Sequence, residues 1–260
     1  MPRSWIGNNP FWIYRYLLMA VFYVAIVTEN VVRWLRTRAQ PSVPRMVVNC
    51  GMWFVELMAR GASFGLRVAI GMTVSRFALY HLPRTLLTAV IGYVCVDFVY
   101  YWHHRLLHMT RLGWAIHSTH HTSEELTLLS TIRLSWVEAA IKYLFYLPVV
   151  LLGFDPLQVF FLVELNSVTQ FWCHTETIGP LRWLDPWLNT PQNHRLHHAR
   201  SRAVAECNYG SNFIVWDQLF GTYRTGPRSL EFGIEGQRDS LNPFRLQFGL
   251  LWRLIAPRAK

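Results

Sequence analysis

The sequence predicts an all-α integral membrane fold, a transmembrane helical bundle closed at one end by a histidine-rich cap. Three observations predict it. Long apolar runs recur along the 260 residues; 52% of the chain is apolar and only 15% charged; and most of the 11 histidines fall in polar stretches at the ends of those runs. That composition belongs to membrane proteins. The apolar runs interleave with the polar motifs rather than segregating from them, so one domain is expected.

The first element is a spanning helix from Phe11 to Thr28, apolar apart from Arg15, which lies near one end and can snorkel; Trp5, Trp12, Tyr14 and Tyr16 form an interfacial belt. Arg15 interrupts the run and no small-residue cleavage site follows it, so the run is expected to stay as an anchor. Arg33 to Arg45, with Arg36, Arg38, Pro41 and Pro44, reads as a cytoplasmic connection by the positive-inside rule. Val47 to Tyr80 is interrupted by Glu56, Arg60, Arg67 and Arg76, and is expected either to span once with a break or to lie partly in the interface.

Leu86 to Trp102 is a spanning run that ends directly in His103 and His104. Trp136 to Leu152 and Leu157 to Cys173 follow, separated by the turn Gly153, Phe154, Asp155 and Pro156. Each run is about 17 residues, or about 26 Å of helix, enough for a tilted or slightly thinned crossing. The run ending at Trp102 delivers the chain to one face and the next two leave and return. All the histidine clusters are therefore expected on that face, the cytoplasmic one. Gly179 to Lys260, rich in Pro, Gly, Asn and Arg, reads as a cytoplasmic cap with short helices.

The net charge of +10 suits contact with anionic lipid. No basic stripe stands free of apolar context, which argues against a nucleic-acid partner. Cys50, Cys95, Cys173 and Cys207 stand alone with no C-x-x-C pair, so neither disulfides nor a thiolate metal site is expected.

Nine histidines carry the chemistry: His104 and His108; His117, His120 and His121; His174; and His194, His197 and His198. The pattern H-x-x-H-H occurs twice, far above chance for 11 histidines in 260 residues. Residues at i, i+3 and i+4 share a helix face, so each cluster is expected to aim its rings at a common point, and three such faces can surround two metal ions. The cap is thus expected to be a cytoplasmic histidine-rich di-metal cap. Imidazole suits iron, zinc, copper or nickel, so ligand type does not name the metal. An all-nitrogen shell leaves the cations uncompensated, and acidic residues are expected to orient the rings and offset the charge. Asp97, Glu124, Glu125, Glu176 and Asp217 are the candidates, with Asp97, Glu176 and Asp217 placed in the catalytic set. Asp97, Tyr101, His104 and His108 form one helical stripe and Asn166, Gln170 and His174 another. Polar groups in spanning runs usually face a site, although Asn166 and Gln170 also suit interhelical hydrogen bonds. His103 points about 100° away from His104 and is expected outside the metal shell. His81, beside Pro83, reads as an ordinary surface or interface residue.

Between Leu86 and Arg224 the chain resembles the fatty acid hydroxylase and sterol desaturase superfamily of membrane di-iron enzymes. The resemblance rests on D-x-x-Y-Y-W-x-H-R-x-x-H from Asp97, W-x-x-H-x-x-H-H from Trp114, H-R-L-H-H from His194, N-Y-G from Asn208 and W-D-Q-L-F-G-T-Y from Trp216. The H-x-x-x-H spacing of the first box looks like the sterol-oxidising and alkylglycerol monooxygenase branches. Q-F-W-C-H-T-E from Gln170 looks like the latter. Asn193 departs from it, standing where that branch usually has a histidine.

The resemblance implies two irons held by the nine histidines, a membrane lipid as substrate, and O2-dependent hydroxylation or desaturation of a C–H bond in a sterol, fatty acyl chain or ether lipid. It also implies a tetrahydropterin as external reductant. The H-P-G-G haem motif fused to some hydroxylases is missing, so a separate electron donor is expected. Residues 1–84 then read as an N-terminal membrane anchor region, 85–224 as the hydroxylase-like catalytic region and 225–260 as a C-terminal cytoplasmic tail. The membrane would be a bacterial inner membrane, or the endoplasmic reticulum in a eukaryote. Two rival readings are a zinc-holding, non-catalytic membrane protein and a metal transporter; a transporter would carry its histidines near the bilayer midplane rather than beyond helix ends.

Overall fold

The computed structural model describes residues 10–38, 40–227 and 229–255, with side chains described from residue 20 onward. Among the described residues the regular elements are all helices, joined by turns and loops, with no β-strand and two isolated bridges, Leu188 to Phe213 and Ala199 to Phe232. The chain divides into two units, Met1–Ser42 and Val43–Lys260.

The first unit holds helix α1, Pro10–Thr37. Proline at its first position loses no intrahelical bond there. The helix runs past Thr28, so Arg33 and Arg36, expected in a connection, are helical. The aromatic belt and Arg15 lie outside the described side chains.

In the second unit α2, Val43–Ser75, is one unbroken helix of 33 residues, against the expectation of a break within it. Three of the charges that seemed to interrupt it, Glu56, Arg60 and Arg67, have partners, and the exposed Arg76 lies just past its end. Arg60 pairs with Glu56 one turn back and reaches Glu164 at 2.7 Å. Arg67 donates to the Arg60 carbonyl at 2.6 Å and lies over the Phe160 ring. A helix keeps charges in an apolar face when each is paired.

Helix α3, Leu86–Met109, begins in a capping box between Thr85 and Thr88. Among the described residues it is the one helix long and apolar enough to cross a membrane. Leu86, Leu87, Val90, Ile91 and Val94 are exposed along it. The run from Trp136 to Leu152, expected as one span, is three short pieces: α5 (Trp136–Ile141), a 3-10 stretch (Lys142–Tyr146) and α6 (Leu147–Leu151). Pro148, which lacks an N–H, opens the last of these. The turn at Gly153 is as expected: φ is +100°, and a Cβ there would stand 2.6 Å from the Tyr80 carbonyl oxygen. Asp155 then caps α7, Pro156–Thr169, by accepting from Leu157 and Gln158. At 14 residues, α7 is about 21 Å long, shorter than the expected span. A 3-10 turn, Phe171–Cys173, carries the chain to His174.

Helix α4, Arg111–His121, doubles back on α3 through Thr110, whose hydroxyl accepts from Gly113 N at 3.1 Å. A Cβ at Gly113 would lie 2.6 Å from Leu107 Cα, so only glycine permits this reversal. The later segments form α8 (Pro191–His197), α9 (Arg202–Ala205), α10 (Val215–Leu219) and α11 (Pro243–Ile255). Helix α11 packs against α4: Thr119 donates to the Leu246 carbonyl at 2.9 Å, and Gln247 bridges Trp136 N and the Leu134 carbonyl. The segment after residue 224 is thus tied to the helix that carries the second histidine box.

Candidate metal centre

The nine histidines singled out by spacing come from α3, α4, α8 and the residues that cap α8 and the 3-10 turn, His198 and His174; all are buried and fall into two groups. One contains His104, His108, His117, His121 and His197; the other contains His120, His174, His194 and His198. Within each group one ring nitrogen per residue lies within 4.8 Å of the others.

The partition corrects the expectation that each box aims at a single point. His117 and His121 face the first group while His120 faces the second; His194 and His198 face the second while His197 faces the first. Residues i and i+4 differ by about 40° around a helix, whereas i+3 and i+4 differ by about 100°, so each H-x-x-H-H serves two centres. The groups abut: His121 and His198, one from each, stack at 4.3 Å between centroids.

Hydrogen bonds fix which nitrogen faces inward. His104 Nδ1 donates to the Tyr209 carbonyl at 2.8 Å, His117 Nδ1 to the Glu138 carboxylate at 2.9 Å and His197 Nδ1 to the Cys207 carbonyl at 2.9 Å. These partners only accept, so in the neutral rings each Nε2 bears a lone pair. His104 Nε2 and His117 Nε2 then stand 3.0 Å apart with two lone pairs facing, which is not a hydrogen bond but suits a shared cation. Nε2 of His108, His121 and His197 is buried without a partner. In the second group Nε2 of His174 lies 2.9 Å from Nε2 of both His120 and His194. Metal–imidazole bonds of about 2.0–2.1 Å at right angles put their nitrogens about 3 Å apart, so the donor set fits a metal in each group.

Burial and neighbouring imidazoles hold His120 and His197 down to about 3, and push His121, His174, His194 and His198 well below the usual imidazole range. Those rings are neutral at pH 7 and present lone pairs without first losing a proton.

The fatty acid hydroxylase family model matches residues 89–222, more than half of the chain and the whole of both groups. This chain belongs to the fatty acid hydroxylase family. It is 37% identical over 173 residues to alkylglycerol monooxygenase of Homo sapiens, covering 66% of this chain and 38% of that protein. It is 31% identical over 245 residues to alkylglycerol monooxygenase of Xenopus tropicalis (89% and 53%). It is 36% identical over 157 residues to an ornithine lipid hydroxylase of Rhizobium tropici (57% and 46%). The chain spans about half the length of these curated relatives, or less. No solved structure matches it.

The carboxylates expected to orient the rings are placed otherwise. Asp97, fully buried, accepts from Asn166 Nδ2 (2.8 Å), Asn212 N (3.0 Å), Phe213 N (3.3 Å) and Trp216 Nε1 (2.9 Å), joining α3 to α7 and α10. Asp217 accepts from Tyr209 N, Gly210 N and Thr222 Oγ1 at 2.7–2.8 Å. Glu176 is exposed, and one of its oxygens accepts from Leu126 N at 3.3 Å. Glu124 and Glu125 pair with Arg45, and Glu124 also with Arg200. Asn166 and Gln170 make interhelical hydrogen bonds, to Asp97 and Tyr100, and both bond Ser211. Asn193 donates to the carbonyls of Asp185 and Leu188. His103 is buried against Phe145 outside both groups, and His81 is exposed.

The carboxylate that does bond a ring, Glu138, was missed. Its signal was available as the single acidic residue in the apolar run from Trp136 to Leu152, where a charge is costly and usually functional. The carbonyls of Tyr209, Cys207 and Arg133 were missed as well, and backbone acceptors carry no residue-type signal.

Proposed function

We propose that this chain is a membrane-bound di-iron enzyme that uses O2 to hydroxylate or desaturate a C–H bond of a sterol, fatty acyl chain or ether lipid. The observation that carries the reading is the pair of abutting groups of buried imidazoles whose inward nitrogens fit two cations. His104, His108, His117, His121 and His197 hold one iron, and His120, His174, His194 and His198 the other. Two irons, when bound, supply the reduction of O2 and the oxidation of an unactivated C–H bond. For hydroxylation the balance is RH + O2 + 2e⁻ + 2H⁺ → ROH + H2O.

The chain's own residues hold and shield that chemistry. Carbonyls and Glu138 fix ring orientation, and burial of all nine rings keeps bulk water from the reacting carbon. Asp97 and Asp217 act as positioning carboxylates that hold the loop from Asn208 to Phe213, and Glu176 holds the loop after the second box at Leu126. Residues 85–224 are the catalytic region, 1–84 its membrane anchor and 225–260 a cytoplasmic tail.

The lipid names of the relatives and the exposed apolar face of α3 support a lipid substrate entering from the bilayer. The arginines at positions 33, 36, 38 and 45 support a cytoplasmic active site, in a bacterial inner membrane or in the endoplasmic reticulum. Electrons come from a separate donor, with a tetrahydropterin as the external reductant.

The test is to purify the full chain anaerobically in detergent, measure iron and zinc, and follow O2 uptake on adding a panel of alkylglycerol, sterol and phospholipid. Two irons per chain with lipid-dependent uptake and an oxidised lipid product are expected. Zinc alone, with no uptake after iron reconstitution, would overturn the enzymatic reading.

A further inference from the structure

The two histidine groups are not supported equally. In the first group, three of five rings are anchored through Nδ1 at 2.8–2.9 Å: His104 on the Tyr209 carbonyl, His197 on the Cys207 carbonyl and His117 on the Glu138 carboxylate. Glu206 adds a second carboxylate, 3.7 Å from His108 Nδ1. In the second group the supports are longer or neutral. His120 Nδ1 stands 3.4 Å from the Arg133 carbonyl, His194 Nδ1 faces the Asn189 amide nitrogen at 3.2 Å, and the buried His174 Nδ1 has the Gln170 backbone beside it but no hydrogen bond of good geometry.

Three physical effects act in the same direction. A carboxylate on the far nitrogen raises the basicity of the ring and fixes its orientation. An anion beside a buried divalent cation offsets charge that neutral imidazoles leave uncompensated. Donors held in place by short hydrogen bonds lose less freedom on binding than donors held more loosely.

We propose that the two centres are unequal in metal affinity: the five-histidine group backed by Glu138 loads first and holds its ion, and the four-histidine group loads second and exchanges it. Glu138 is a positioning residue for the first centre, acting through His117. The proposal rests on the reading that these histidines hold two metal ions, and it adds an order of binding and the residue that sets it.

The experiment titrates metal-free full-length chain in detergent micelles with Co(II) alone, under nitrogen, following cobalt absorption and bound metal after rapid desalting. Two resolved steps of one equivalent each are expected. Glu138→Gln keeps the size and an acceptor oxygen but removes the charge; it should weaken the tight step 10–100-fold, the range for losing such a support, and leave the weak step in place. His174→Ala should abolish the weak step and keep the tight one, an arm that does not depend on how Glu138→Gln folds. Uptake of both equivalents in one step, or a Glu138→Gln chain in which both steps weaken alike, overturns the inequality while leaving two metal sites intact. Absence of cobalt uptake in the wild-type chain overturns the metal reading itself, and this inference with it.

Discussion

Asp217 accepts the backbone N–H of Tyr209 at 2.8 Å, and the Tyr209 carbonyl accepts from His104 Nδ1 at 2.8 Å. The carboxylate thus acts on a ring it does not touch. It also takes the Gly210 N–H, and the Gly210 carbonyl accepts from Asn189, which faces His194 in the other group.

Asp217→Ala leaves two buried backbone N–H groups without their acceptor, at about 1–3 kcal/mol each. The variant should melt at a lower temperature in detergent and retain less metal at equal ligand concentration. Unchanged melting and metal retention would remove Asp217 from the support of the centre.

Because each H-x-x-H-H box divides between groups, two substitutions in different boxes should cost different ions. His197→Ala should deplete the five-histidine group and His120→Ala the four-histidine group, each lowering bound metal from two per chain towards one and abolishing turnover. Metal analysis with the activity assay checks this; a variant with both ions and full turnover would strike that histidine from the ligand set.

Gly113→Ala places a methyl 2.6 Å from Leu107 Cα and 2.8 Å from its carbonyl oxygen, both backbone atoms that cannot swing aside. The α3–α4 reversal would have to open, separating His104 and His108 from His117 and His121, at a cost of about 1–3 kcal/mol or more. Gly179→Ala meets open space and should change stability by less than about 0.5 kcal/mol. Comparing folded yield and metal content of the two isolates the effect of the turn.

Arg60 stands between Glu56, which is buried, and Glu164. Arg60→Met strands the Glu56 charge and should destabilise by about 3–5 kcal/mol, whereas the triple change Arg60→Met, Glu56→Gln, Glu164→Gln should recover most of that loss. Thermal unfolding of the four chains, wild type and single, double-Gln and triple variants, measures the coupling. A triple variant as unstable as Arg60→Met would mean the arginine matters for packing rather than for charge.

The helices and the histidines were legible to different depths. The apolar run at Leu86 and the turn at Gly153 could be read locally, since hydropathy and turn chemistry are short-range properties. Reading Val47–Tyr80 as interrupted failed because Arg60 and Arg67 find Glu164 and Phe160, about a hundred residues away, and a charge without a visible partner looks like a break. Reading Trp136–Leu152 as one span failed for the opposite reason, since apolar content does not reveal where a helix tightens into 3-10 turns. Asp97 looked like a ring partner because it shares a helical stripe with His104, yet its acceptors are spent on Asn166, Asn212, Phe213 and Trp216, three of which arrive from the segment at 212–216.

The sequence by itself singled out the nine histidines that the fold gathers into two buried groups, and showed that they come in helical repeats, because residue type and the 3.6-residue period are written in the order of the chain. Tertiary structure alone decided how those rings divide, five and four, and which acceptor stands behind each. His104 is held by a carbonyl 105 residues away and His117 by a carboxylate 21 residues away on another helix. The reason is geometric: about 100° between consecutive residues lets one box face two points, and only the packing of α3, α4 and α8 fixes where those points lie.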